Sequence, residues 1–141
     1  LQELGDPLIY CTRAHIHVDR VATAWLIRRF LDPEAQFVFL DGQEPPEGAI
    51  PFDMHGVEWG HHQNRCTFET VLALHQLDDP VLQQIARIIH GADILADADE
   101  TLESPGINLV FRALRLACDS DEQALERGSV IMDGIYKALT P

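Results

Sequence analysis

The stretch that decides the fold is residues 7–31, PLIYCTRAHIHVDRVATAWLIRRFL. Its first part, Pro7–Thr12, is largely apolar, which is typical of a short buried strand. From Arg20 to Leu31 the apolar residues recur every three or four positions, and this spacing predicts a helix with a wide apolar face. Asp32-Pro33 then ends the helix. A buried strand followed by such a helix predicts a layered α/β domain.

The rest of the chain continues with strands and then with helices. Two more apolar runs, residues 35–40 and 50–54, predict the second and third strands. Asp79 is expected to cap one later helix, and Gly91 to follow its end. The later helices are predicted at Thr67–His75, Pro80–His90, Ser104–Cys118 and, after an N-cap at Ser120, up to Leu139. The predicted fold is α/β: one domain over residues 1–141, with a small, mainly parallel sheet covered by helices and a helical C-terminal half.

Charge and cysteine content exclude several classes of function. With 141 residues, 46% of them hydrophobic, the chain can form one substantial core. Its 23 acidic and 10 basic residues give a net charge of −13, which argues against direct binding of nucleic acid or of an anionic membrane. The three cysteines form no CxxC pair, so we expect no disulfide framework and a cytoplasmic location. A homodimer is compatible with the sequence.

Histidine and aspartate residues concentrate at the predicted junctions between elements. Because loops converge at the carboxyl ends of parallel strands, we expect these side chains to meet. If the chain stays extended after the first strand, His15, His17 and Asp19 share one face. Imidazole and carboxylate together suit a divalent transition metal such as Mn, Fe or Zn. The predicted ligands are His17, Asp19, Asp53, one of His61 and His62, and Asp93.

Each predicted ligand also has a purely structural interpretation. Asp19 stands where a helix N-cap is expected, and Asp53 precedes a turn at Gly56. The His61-His62 pair is compatible with a solvated loop, and Asp93 with the start of a solvated acidic run. A shared polar site is favoured because all of these clusters fall at junctions, while the strands between them are apolar.

Cysteine and arginine side chains extend the predicted chemistry. Cys66 precedes a predicted helix, where a lowered thiol pKa favours a reactive cysteine or a soft ligand; an inert cysteine is the alternative. Arg20 and Arg28 are candidates for pairing with an oxyanion held against the metal. Further candidates for a ligand, or for a residue that supports one, are His62, Cys66, Glu69 and His90.

Four motifs carry a resemblance to a known family. They are residues 17–33 (HVDRVATAWLIRRFLDP), Pro51-Phe52-Asp53, His61 with residues 66–70 (CTFET), and Gly91-Ala92-Asp93. These motifs resemble the chromate-resistance protein family, in its ChrB-type C-terminal domain. The family's usual cysteine and proline before the tryptophan are replaced by Thr23-Ala24. Where the family often has Ser-His-x-Gly, this chain has Gly60-His61-His62-Gln63, so the resemblance favours His61 over His62 as ligand. It implies a regulator or accessory protein beside a chromate transporter.

A weaker resemblance concerns the order of the metal motifs. His-x-Asp, then Asp, then His-His-Gln, then Asp is similar to the DHH phosphoesterases, which hold two Mn ions and hydrolyse phosphodiesters. Here Gly60 replaces the Asp of their triplet, and the length leaves no room for their second domain. Three functions therefore stay open. They are a metal-binding domain that takes a small oxyanion, an Mn-dependent hydrolase of phosphate esters, and a regulatory module without metal.

Overall fold

A small parallel sheet forms one layer of the domain in the computed structural model, which describes residues 8–141. Its order is β2-β1-β3, with β1 at Ile9–Arg13, β2 at Gln36–Leu40 and β3 at Ile50–Pro51. Both neighbours pair with β1 in parallel, which confirms the predicted α/β class. The first residue of the predicted strand, Pro7, lies outside the described residues. The third strand is shorter than predicted, because after Pro51 only a single bridge, from Phe52 to Trp59, continues the pairing.

Helices cover the sheet and form the C-terminal half of the chain, as the sequence predicts. The first, α1, continues into a π-helical turn at Ile27–Leu31, which the N–H of Asp32 closes on the carbonyl of Ile27 at 2.7 Å. A 3₁₀ segment at Leu95–Glu100 occupies the acidic connection. The α-helices are α1 Val18–Leu26, α2 Thr67–Leu74, α3 Pro80–Asp93, α4 Ser104–Ala117 and α5 Asp121–Leu139. No helix among residues 8–141 is both long and apolar enough to cross a membrane.

The central element of the core is α1, which contacts all four of the other α-helices. Eight of its nine residues are buried, so its apolar face is wider than that of an ordinary surface helix. Trp25 packs near Phe30 and Tyr136, while Phe68 and Phe111 extend the same cluster into α2 and α4. A buried polar side chain on α1 therefore forms its hydrogen bonds with other protein groups rather than with solvent.

The chain does not stay extended between β1 and α1, so the predicted common face of His15, His17 and Asp19 is wrong. His15 has a φ of +64°, and a carboxylate of the last helix explains the turn. Asp121 accepts the backbone N–H of His15 at 3.1 Å and that of Ile16 at 2.9 Å. As a result α1 begins at Val18 with His17 at its N-cap position, and Asp19 is inside the helix rather than capping it.

The end of α3 also differs from the prediction, because Gly91 lies inside the helix. A Cβ atom at Gly91 would come within 2.8 Å of the Ser104 Cβ on α4. Glycine is therefore needed for the close approach of two helices, not for helix termination. Since α3 continues to Asp93, this aspartate is the last residue of the helix instead of following it.

Candidate metal centre

Asp19 is a buried carboxylate that joins two helices. Its side chain is 2% exposed. Its two oxygens accept the backbone N–H groups of Thr67, at 2.9 Å, and Phe68, at 3.0 Å. These are the first two residues of α2, whose N–H groups have no partner within the helix. Asp19 thus compensates the positive end of α2, although it belongs to α1.

His61 lies at the point where three carboxylates meet. Its Nε2 is 3.2 Å from Asp19 Oδ2, 3.4 Å from Asp53 Oδ1 and 3.1 Å from Asp93 Oδ2. The hydrogen bonds to Asp19 and Asp53 raise the pKa of His61 to about 10. The bound proton thus balances only part of the negative charge. We call these four residues, Asp19, Asp53, His61 and Asp93, the His61 cluster.

Asp53 and Asp93 occupy different electrostatic surroundings within the His61 cluster. Burial alone would raise the pKa of Asp53, but the hydrogen bond from His61 and the charge of Arg20 outweigh it and lower that pKa. Asp93 contacts His61 at 3.1 Å but, among the described residues, makes no ion pair with an arginine as Asp53 does. Burial, followed by the negative charges of Asp19 and Asp53, raises the pKa of Asp93 to about 7. The positive charges of His61 and Arg20 therefore outweigh burial at Asp53 but not at Asp93.

The donor set of the His61 cluster fits a divalent cation. One ligand atom each from Asp19, His61 and Asp93 lies within 4.8 Å of the others. Two carboxylates with one imidazole form a set that non-haem Fe, Mn and Zn accept. Asp53 adds an oxygen at the edge of the group, and Thr67 Oγ1 fixes that oxygen by donating to it at 2.8 Å.

His17 is partly buried, lies outside the His61 cluster, and has one nitrogen without a partner among the described residues. Its Nε2 is 2.8 Å from Asn108 Oδ1, while its Nδ1 is buried and makes no hydrogen bond with any described residue. Burial also lowers the pKa of His17, which favours a neutral ring. If Nε2 donates to Asn108, Nδ1 presents a free lone pair. A histidine that ligates a metal has this same arrangement, with its other nitrogen donating to an oxygen.

A second polar group surrounds His90, which is 7% exposed. Its Nδ1 is 2.6 Å from Glu69 Oε1, and its Nε2 is 2.6 Å from Asp97 Oδ2. Burial opposes the charged ring, but these hydrogen bonds outweigh it and raise the pKa of His90. Cys66 lies beside this group, and its N–H donates to Glu69 at 3.0 Å.

The lowered pKa expected for the Cys66 thiol is wrong. Its side chain is completely buried at the start of α2. Burial, together with the nearby negative charge of Asp19, raises the pKa of this thiol well above its usual range. The positive end of the helix acts instead on Asp19, so the structure supports the inert alternative for Cys66.

Comparison with known proteins identifies the family of the chain. Its sequence matches the family described as ChrB, C-terminal domain, over residues 10–139. The chain belongs to this family. It is also 36% identical over 129 residues to Protein ChrB of Cupriavidus metallidurans, an alignment that covers 90% of this chain and 39% of that relative. The chain thus spans well under half the length of this ChrB relative. No solved structure matches it with significant similarity.

Two further candidate residues of this ChrB C-terminal domain, His62 and Arg28, also lie away from the His61 cluster. The Nε2 of His62 lies 2.7 Å from the carbonyl oxygen of Glu58, in the exposed loop. Arg28 donates to the Ala35 carbonyl at 3.1 Å, and its guanidinium lies 4.8 Å from the centre of the Phe37 ring. The structure therefore does not bring Arg28 to the cluster, because it follows α1 on the π-helical turn beside β2. Arg20, by contrast, contacts Asp53 at 3.1 Å.

Sequence reasoning did not single out several residues that support the site of this ChrB domain. Thr67 contacts both Asp19 and Asp53. Its position in the CTFET motif, beside Cys66, is the sequence feature that could have indicated this role. Asp97 lies in the acidic run after Asp93, whose composition suggests a solvated surface, yet it pairs with His90. Asn108, which contacts His17, lies 91 positions away in sequence, and no local pattern marks it.

Proposed function

We propose that this ChrB C-terminal domain binds one divalent transition metal ion, Mn, Fe or Zn, at the His61 cluster. The observation that carries the proposal is the approach of three carboxylates to one imidazole nitrogen, each within 3.4 Å. Three mostly buried carboxylates face one imidazolium and one paired arginine, Arg20, so negative charge is in excess, and the raised pKa of Asp93 is its consequence. A divalent cation that replaces the His61 proton compensates this excess better than the proton does.

The proposed ligands are Asp19, His61 and Asp93, with Asp53 as a fourth. Asp19 is held by the N-terminus of α2, and Thr67 and Arg20 hold Asp53, so these carboxylates are oriented before a metal arrives. His17 stays a proposed further ligand because its Nδ1 has no partner among the described residues, although this atom does not belong to the group formed by Asp19, His61 and Asp93. The metal would supply positive charge that polarises a bound oxyanion.

A small oxyanion, such as chromate or a phosphate ester, is the proposed partner of this centre. Arg20 lies beside Asp53 at the edge of the cluster and lines the adjoining cavity. An arginine next to a metal offers charge-assisted hydrogen bonds to an oxyanion. The chain belongs to the ChrB family, and the resemblance to chromate-resistance proteins favours a small oxyanion as the partner. The net charge of −13 disfavours nucleic acid as the partner.

Element-specific mass spectrometry of protein expressed without a histidine tag tests the metal proposal. We expect about one transition metal per chain, falling below about 0.2 in His61→Ala. The matched control is His62→Ala, because His62 is the adjacent histidine and lies outside the cluster. The proposal fails if the wild type itself contains less than about 0.2 metal per chain, or if both variants keep the same metal content. A wild type without metal would favour the regulatory-module alternative.

The phosphoesterase alternative has less support from the arrangement of ligands. Among the described residues, the His61 cluster shares no residue with the group formed by Cys66, Glu69 and His90. Two-metal hydrolases need metals about 4 Å apart, commonly joined by a bridging ligand. Assays of a generic phosphodiester with added Mn separate the two functions, since a hydrolase would exceed its Asp53→Ala variant in activity and a binding domain would not.

A further inference from the structure

A cavity of about 390 Å³ opens beside the His61 cluster at the carboxyl end of β1. Ligands gather at such strand ends in α/β proteins, because loops and helix starts converge there. Among the residues that line it, the charged or titratable ones are Arg13, Arg20, Asp53, His55 and His61. The cavity is thus lined both by Asp53 and His61 of the proposed metal centre and by two arginines.

The acceptor oxygens of Asp53, the one carboxylate in the cavity wall, are already in use. Asp53 Oδ1 accepts from Thr67 at 2.8 Å, and Asp53 Oδ2 pairs with Arg20 Nε at 3.1 Å. The backbone carbonyl of Asp53 accepts from the Arg20 Nη2 atom at 3.2 Å. The one carboxylate in the wall is therefore engaged through both of its oxygens.

Hydrogen-bond donors, in contrast, are in surplus. A guanidinium has five N–H groups, and Arg20 uses only its Nε and one Nη nitrogen on Asp53. Arg13, the last residue of β1, is exposed, and it makes no side-chain hydrogen bond or ion pair with residues 8–141. Unused arginine donors converging on one cavity are suited to an anion with several oxygens.

The charges around Arg13 determine which side of it an anion can occupy. Arg13 also lines a neighbouring cavity of about 420 Å³, whose wall includes Asp41 and Glu44. These two carboxylates repel an anion there. On the Arg20 side the only carboxylate in the wall is Asp53, which Arg20 pairs with directly.

We infer that Arg13 and Arg20 form a subsite for a tetrahedral, doubly charged oxyanion, with Arg13 as its principal binding residue. The planar donor fork of arginine matches two oxygens of such an anion at once. The size of the cavity admits either a free oxyanion or the phosphate group of a small ester. The contact between the oxyanion and the metal rests on the proposed function. The contacts with the two arginines do not, because they form without metal.

Calorimetry with inorganic phosphate, on metal-free and on Mn-loaded protein, tests this subsite. We expect Arg13→Gln to weaken phosphate binding by at least about tenfold in both forms. The matched control is Arg127→Gln, which removes the same charge from an exposed arginine on α5 and should change binding by less than about twofold. Circular dichroism checks that both variants keep the fold. Repeating the titration with glycerol phosphate distinguishes an ester from the free anion as the better ligand, and stronger binding of either through Arg13 supports the subsite.

Two results would overturn the inference. One is wild-type protein that binds no phosphate with or without Mn, and the other is equal weakening by Arg13→Gln and Arg127→Gln. These outcomes differ from a failure of the proposed function. If the protein contains no metal but its phosphate binding depends on Arg13, the subsite stands and the metal centre falls. If it contains metal and binds no phosphate, the metal centre stands and the subsite falls.

Discussion

Asp19 Oδ2 accepts the backbone N–H of Thr67 at 2.9 Å, which connects the second residue of α1 with the first residue of α2 across 48 positions of sequence. The same carboxylate reaches His61 at 3.2 Å. A residue that stabilises the fold is therefore also a proposed ligand. We expect loss of this side chain to affect stability and metal binding together.

Asp19→Ala should strongly destabilise the metal-free protein. It leaves the N–H groups of Thr67 and Phe68 buried without an acceptor, which costs about 2–4 kcal/mol of the free energy of unfolding. Urea unfolding in the presence of EDTA, followed by tryptophan fluorescence, measures the change. Asp41→Ala, at an exposed aspartate, is the control and should change stability by less than about 0.5 kcal/mol. Equal stability of the two variants would contradict this role of Asp19.

Gly91→Ala should destabilise the protein, although alanine is the better helix former. The new Cβ would lie 2.8 Å from the Ser104 Cβ, so α3 and α4 must move apart, at a cost of about 1–3 kcal/mol. Gly134→Ala in α5 is the matched control, because a Cβ there meets nothing within 4 Å. The control should gain about 0.5–1 kcal/mol from helix propensity. Thermal unfolding that shows the same sign for both would refute the close contact.

The three cysteines should differ sharply in their reaction with a thiol reagent. Cys118 is partly exposed and should react at once in the native protein. Cys11 and Cys66 are fully buried, and burial raises the pKa of each thiol, so both should react only after unfolding. Titration with Ellman's reagent, before and after addition of guanidinium, counts the accessible thiols. Rapid native labelling at Cys66, located by peptide mass spectrometry, would contradict its burial.

Asp133→Asn should weaken the contact between α1 and α5 in a pH-dependent way. Asp133 accepts from Trp25 at 2.8 Å and pairs with Arg29 at 2.9 Å, and the hydrogen bond from Arg29 lowers the pKa of Asp133. A lowered pKa in the folded state means stability that is present above the unfolded pKa of about 3.9 and lost as pH falls through the folded value.

We therefore expect Asp133→Asn to lose about 0.5–1 kcal/mol at pH 7, since the pair is partly exposed, and to approach the wild type at acidic pH. Urea unfolding at several pH values measures this difference. Asp78→Asn, at an aspartate without an ion pair among the described residues, is the control. A difference from the wild type that stays constant between pH 7 and pH 3 would mean that the charge of Asp133 contributes nothing.

The main elements were predictable from sequence because the signals that specify them are local. Apolar spacing predicted the strands and the helix of residues 7–31, and the Ser120 side chain does accept the N–H of Gln123 at the start of α5. The junction positions of Asp19, Asp53 and His61 followed from the same patterns. Their convergence on one point depends on the parallel pairing of β1 with β3 and on the packing of α2 against α1.

Local patterns also suggested roles that the tertiary structure reassigned. Asp19 has the residue type of an N-cap, but it serves the N-terminus of another helix. Gly91 has the residue type of a helix end, but it lies inside α3, where Ser104 on α4 leaves no room for a Cβ atom. Cys66 stands at a helix start, but burial beside Asp19 raises the pKa of its thiol. In each case the deciding partner is distant in sequence, so no window around the residue contains it.

The sequence by itself determined the α/β class, the strands and helices, and the residue types available for a metal, because periodicity and capping act over a few residues. Only the tertiary structure decided that His61, which the family resemblance already favours over His62, lies among the three aspartates and that Arg13, rather than Arg28, lines the cavity beside them. These choices depend on the directions of individual side chains. Packing between distant segments sets those directions.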